Sequence, residues 1–168
     1  MFTSNFIDQT YTPHKNQEKI NDILQKASVR SPPYLHEFEC YDLFTLIGVN
    51  VPVYTYKPLA EIQSLKTWMK PGKKYVLKCH IPGCLHKTDI GGVLLPFTLE
   101  NMDEKLPVFI ENIKKQGYEL EGVIVVEMCN FHNGGMSNGE LLLSSFNDTV
   151  FGPSICFGLG GTAIEYYG

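Results

Sequence analysis

The sequence has no apolar run near the roughly 20 residues that a membrane helix needs, and its first fifteen residues, "MFTSNFIDQTYTPHK", contain no secretory apolar core. It has no basic surplus either. Fourteen Lys and Arg stand against 18 Asp and Glu, for a net charge of −4, so nothing in the overall charge calls for nucleic acid as a partner. Internal repeats and low-complexity tracts are also missing. The cysteines number five, an odd count that suits reduced thiols in the cytoplasm better than a disulfide framework. What is present is ordinary: 168 residues, 43% apolar and 19% charged, enough for one soluble domain or two small lobes.

Periodicity divides the chain. Residues 1–16 lack an apolar stripe and read as a flexible N-terminal arm. Ile20, Ile23, Leu24 and Ala27 define a first helix from about Gln17, with Asn16 as its cap. Cys40, Leu43, Phe44 and Ile47 mark a second helix from about Leu35. "LAEIQSLKTWM" predicts a third. Leu106, Phe109, Ile110 and Ile113 predict a fourth that ends at Gly117, with Pro107 in its first turn. Strands are expected at 74–81, about 92–97, 122–129, 139–146 and 153–157. The fold class is α+β, with N-terminal helices followed by a mixed or antiparallel sheet with packed helices.

Chemistry concentrates around "YVLKCHIPGCLHKTDIGGV". Strand alternation sets Tyr75, Leu77, Cys79 and Ile81 on one face and Val76, Lys78 and His80 on the other. Lys78 then either snorkels to solvent from an edge strand or aims into a cleft, where it would meet a phosphate as a point charge. The following link adds His86, Lys87 and Gly91–Gly92, whose amides can approach an anion closely. No Walker motif is present. Cys79, His80, Cys84 and His86 are zinc-ligand types, but their spacing fits no zinc finger, and alternation separates Cys79 from His80. Glu127 ends the apolar run "GVIVVE" and Glu140 opens the next strand. Each is either an exposed strand-end acid or part of a hinge that reads a flat base and its sugar. Gly158, Gly160 and Gly161 follow a short strand but lack the third glycine of a dinucleotide fingerprint.

In order, "YLHEFECYDLFTLIGVNVPVY", "YVLKCHIPGCLHKTDIGGV", "GVIVVEMC" and "FNDTVFGPSICFGLGGTAIE" resemble the ATP-grasp part of ADP-forming acetyl-CoA and acyl-CoA synthetases of the β-subunit type, over about residues 19–168. The resemblance implies a partial ATP-grasp fold over 17–168, with a first lobe at about 17–118 and the start of a second at 119–168. It implies that the His86–Gly92 loop lies over nucleotide phosphates and that Lys78 contacts phosphate oxygens. Glu127 and Met128 would form the hinge beside adenine, Glu140 would hold ribose, and Gly160–Gly161 would lie near the transfer centre. The bound nucleotide would be ATP or ADP. The complete enzyme would convert acyl-CoA, ADP and phosphate to acid, CoA and ATP. Its phosphoryl group would travel on a histidine of a CoA-binding partner subunit or domain, so His86 is not that carrier.

The sequence departs from the family in three places. Asn147 and Thr149 stand where a basic residue and a proline are usual. "FHNGGMSNGE" is longer than the usual link before Glu140. The stretch carrying the family's magnesium ligands does not occur in these 168 residues, so Mg2+ is expected only in the complete enzyme, and this chain alone is expected to be inactive. These departures keep open an alternative, a non-catalytic interaction or regulatory module with the same fold.

Overall fold

The computed structural model describes residues 15–84, 86–129 and 140–160. The expected arm over 1–16 falls almost wholly outside them, as does Gly161. Among the described residues the chain forms two compact units that divide between Met128 and Cys129.

The first unit opens with helices α1 (Gln17–Ser28) and α2 (Glu37–Leu46), then strand β1 (Tyr54–Pro58). A 3-10 stretch (Leu59–Ser64) runs into the one-turn helix α3 (Leu65–Trp68). Strands β2 (Tyr75–His80) and β3 (Val93–Phe97), helix α4 (Met102–Lys115) and strand β4 (Gly122–Glu127) complete it. The strands make one antiparallel sheet in the order β1-β4-β2-β3. β4 is hydrogen-bonded to both β1 and β2, so a lobe boundary at residue 118 would cut through the middle of this sheet.

Alternation along β2 holds. Tyr75, Leu77, Cys79 and Ile81 are buried in one core with Phe97, Val123, Val125 and the α4 stripe Met102, Leu106, Phe109 and Ile113. The other face carries Val76, Lys78 and His80 beside Ile124 and Val126 of β4 and Tyr54 and Tyr56 of β1, and α2 packs there through Phe38 stacked on Tyr56 at 4.3 Å. β2 has a neighbour on each side, so Lys78 does not sit on an edge strand.

Two local expectations need correction. "LAEIQSLKTWM" is not one α-helix. Leu59, Ile62, Leu65 and Trp68 recur every third residue, and a 3-10 winding of three residues per turn keeps such a row on one face. Helix α4 starts at Met102, so Pro107 lies in its second turn rather than its first. Pro107 is exposed, and there water can satisfy the carbonyl that a proline leaves without an amide.

The second unit, as described, is a hairpin of β5 (Leu141–Asp148) and β6 (Gly152–Leu159). Its turn is built on Asp148, whose Oδ1 accepts from the amides of Val150 and Phe151, a usual Asx-type turn role.

Candidate functional site

Three elements of the first unit converge on one carboxylate. Lys78 projects from β2 and donates to Glu37 Oε1 at 2.5 Å. Lys87 reaches from the β2–β3 loop and donates to Glu37 Oε2 at 2.6 Å. Glu37 is the first residue of α2. The side chains are 26%, 15% and 23% exposed for Lys78, Lys87 and Glu37, so both ion pairs are partly desolvated. Burial alone would raise the Glu37 carboxyl, but hydrogen bonds and charge from Lys78 and Lys87 outweigh it and hold it below the usual carboxylate range.

The start of α2 is fixed by its own network. Arg30 grips Glu39 with two parallel contacts of 2.7 and 2.6 Å and also donates to the Tyr34 carbonyl at 2.7 Å. Glu39 in turn accepts the His36 amide at 2.8 Å, closing the first turn of the helix. Fork-to-fork pairing of this kind fixes geometry as well as adding energy. Next to it lies an aromatic layer in which His80 meets His36, Phe38 and Tyr56 at centroid distances of 4.5, 5.4 and 5.1 Å. Burial first, then the positive field of His36 and Lys87, pushes His80 down to about 4. His80 is therefore neutral near pH 7, and its 3.6 Å approach to Glu121 is not an ion pair there. Tyr34, His36, Glu37, His80, Cys84 and Lys87 help to line a pocket of about 230 Å³. That is below the roughly 300–1,000 Å³ of sites that enclose a drug-sized ligand, so it has room for part of a nucleotide.

The loop between β2 and β3 closes on itself. The Gly91 amide donates to Thr88 O at 3.0 Å and the Gly92 amide to Lys87 O at 2.7 Å. A Cβ on Gly92 would stand 2.3 Å from Cys79 Sγ. Gly92 therefore serves close packing on β2, while Gly91, with φ of +69°, makes the turn. In this state both amides bond within the loop. His86 is exposed on it.

Within the first unit, Glu127 and Met128 do not join this cluster. Lys78 sits opposite Ile124, and Glu127 is three residues further along β4, about 10 Å away and on the opposite face of the sheet. Glu127 accepts from Lys73 Nζ at 2.5 Å, and the Met128 amide donates to Lys74 O at 2.9 Å. Glu140 and Gly160 meet at the open end of the hairpin, where the Gly160 amide donates to Glu140 O at 2.9 Å. A Cβ on Gly160 would press on the Leu141 backbone at 2.9 Å. A larger groove of about 930 Å³ between α1, α2 and β1 contains none of the predicted site residues. Among the described residues no group of three or more His, Cys, Asp or Glu is placed to hold a metal ion, and Cys79 is buried in the core while His80 lies on the other face.

Glu37 is the residue that sequence reasoning missed. An acid in the first turn of a helix is common for dipole reasons alone, so "LHEFE" carried no special signal. Its partners are 41 and 50 residues away.

An ATP-grasp domain family model matches residues 26–168. Among curated relatives, the ADP-forming 4-hydroxybutyrate–CoA ligase of Nitrosopumilus maritimus is 30% identical over 153 residues, covering 89% of this chain and 21% of that protein. Subunit beta of the ADP-forming acetate–CoA ligase I of Pyrococcus furiosus is 30% identical over 152 residues, covering 88% of this chain and 61% of the subunit. This chain thus spans about a fifth of one relative and three fifths of the other. Among solved structures, acetyl-coenzyme A synthetase 1 of Ca. Korarchaeum cryptofilum, in complex with coenzyme A and Ca-AMPCP, superposes with a TM-score of 0.67 at 28% identity. That match covers 88% of this chain and 62% of the other. The same enzyme with coenzyme A and Mg-AMPPCP, its phosphohistidine segment pointing towards the nucleotide binding site, gives a TM-score of 0.62 at 26% identity. It covers 88% of this chain and 60% of the other. With most of its length inside the matched model, this chain belongs to the ATP-grasp family.

Proposed function

We propose that this chain supplies the ATP- or ADP-binding part of an ADP-forming acyl-CoA synthetase, with Lys78 and Lys87 binding the phosphates. The observation that carries this reading is the convergence of both ammoniums on one partly buried carboxylate. A site that draws two cations to one anion, beside a pocket lined in part by Glu37 and Lys87, suits a phosphate group. Phosphoryl transfer relies on positioning and charge stabilisation more than on covalent help from the protein, and two partly desolvated lysines supply both. The relatives that match are ADP-forming CoA ligases, and a neighbour binds Mg-AMPPCP and coenzyme A. The described residues do not compose a magnesium site. In the complete enzyme the acyl-CoA would be converted to free acid and CoA as ADP and phosphate become ATP. The carrier histidine would come from a CoA-binding partner segment, and His86 would stay a loop residue over the phosphates. As part of the same proposal, Glu127 and Met128 would lie beside adenine, Glu140 would hold ribose, and Gly160 and Gly161 would lie near the transfer centre.

Titration with ADP, followed by two-dimensional NMR, tests the reading. Amide shifts should change across residues 78–92. No change there at millimolar ADP contradicts it. The second reading, a module that keeps the fold without turnover, is favoured by Asn147 near the end of β5 and Thr149 in the β5–β6 turn. ADP binding without ATP formation, measured with a CoA-binding partner present, would select it.

A further inference from the structure

We propose that Glu37 is a built-in counter-anion of the phosphate site, occupying in the nucleotide-free protein the place that a phosphate takes on binding. The inference rests on the reading of Lys78 and Lys87 as phosphate ligands. Two ammoniums from separate elements, a strand and a loop, repel one another. They converge here because Oε1 and Oε2 of one carboxylate each take one of them, at 2.5 and 2.6 Å. A carboxylate gripped at both oxygens presents the lysines with what two oxygens of a phosphate would present: an anionic pair of acceptors in a partly desolvated pocket. Glu37 is tethered at the first position of α2, and α2 is anchored by Arg30, Glu39 and the Phe38–Tyr56 stack. Tyr41, one turn further along α2, also donates to Glu37 Oε1 at 3.0 Å, so the carboxylate stays beside the site when the lysines leave it. A nucleotide must take both lysines from it and then bind beside a fixed negative charge. Glu37 therefore orders the site and, at the same time, limits affinity for phosphate.

The test uses the full chain and three probes: inorganic pyrophosphate, ADP and adenosine. Glu37→Gln keeps shape and one acceptor but removes the charge. It should bind pyrophosphate and ADP about tenfold more tightly, as expected for deleting one nearby like charge at a protein surface. Adenosine should be unaffected. Equal or weaker pyrophosphate binding by a folded Glu37→Gln protein overturns the inference. A second measurement needs no variant. In the wild type, the titration midpoint of the Glu37 carboxyl carbon should rise when pyrophosphate saturates the site, because the lysines have left it. An unchanged midpoint overturns the inference as well. The underlying reading fails separately: if Lys78→Ala loses no ADP affinity, the lysines are not phosphate ligands at all.

Discussion

Strands β4, "GVIVVE", and β5, "LLLSSFND", are both rich in apolar residues, yet their surroundings differ completely. Along β4, five of six residues are buried. It has a strand on each side, α4 over one face and α2 over the other. Along β5, seven of eight residues are exposed, with Leu143 at 71%, and across the hairpin Ile155 is at 76%. The sequence signal for a strand is similar in the two. Among the described residues the difference lies in how many covered faces and neighbours each finds, and a two-stranded hairpin alone is marginal in water for that reason. Stability, and the candidate phosphate site with it, therefore belongs to the first unit.

A core truncation should separate the two strands most clearly. Leu77→Ala should destabilise the first unit by about 2–5 kcal/mol, read as a large fall in thermal midpoint. Arg30→Ala comes next. It leaves the largely buried Glu39 carboxylate without its fork partner, which costs about 3 kcal/mol, at the low end for an uncompensated buried charge. The loss should appear in urea unfolding.

A pH series sharpens the contrast further. Folding holds His80 at about 4, below its ordinary 6.5, and lowers His36 as well. A histidine that resists protonation when folded stabilises above its unfolded pKa. That contribution is lost as pH falls from 6.5 towards 4. Glu37 and Glu39 are also depressed, but their contribution is present above the unfolded carboxylate value of about 4.3 and is lost only below it. The thermal midpoint of the first unit should thus drop between pH 6.5 and 4, and His80→Gln should flatten that drop. An unchanged slope would show that His80 is not the group responsible. The smallest effect belongs to the hairpin. Leu143→Ala should change stability by less than about 0.5 kcal/mol, as at other exposed sites, and a larger loss would show that the hairpin face is covered in solution.

Much of this was legible from sequence because burial imposes a period. The stripe of α4 and the alternation along β2 each reflect a single face turned inward, whereas the apolar rows expected along α1 and α2 stay partly outside, with Leu24, Phe44 and Ile47 exposed. The 3-10 stretch was misread because Leu59, Ile62, Leu65 and Trp68 satisfy three-residue spacing, which an α-helical pattern also tolerates. Lys78 and Lys87 were visible as charges in an apolar setting. Their shared partner was not. Glu37 looks like any acid that begins a helix, and pairings across 41 and 50 residues leave no local trace. The packing role of Gly92 against Cys79 was hidden for the same reason.

Whether Lys78 faces phosphate is decided by the affinities of wild type and Lys78→Ala for ADP and for adenosine, measured by NMR titration. Loss of a charge-assisted contact should weaken ADP binding by about 1.5–3 kcal/mol, or roughly 10- to 150-fold, and leave adenosine almost unchanged. Equal losses for both ligands, or no loss for either, would contradict the account.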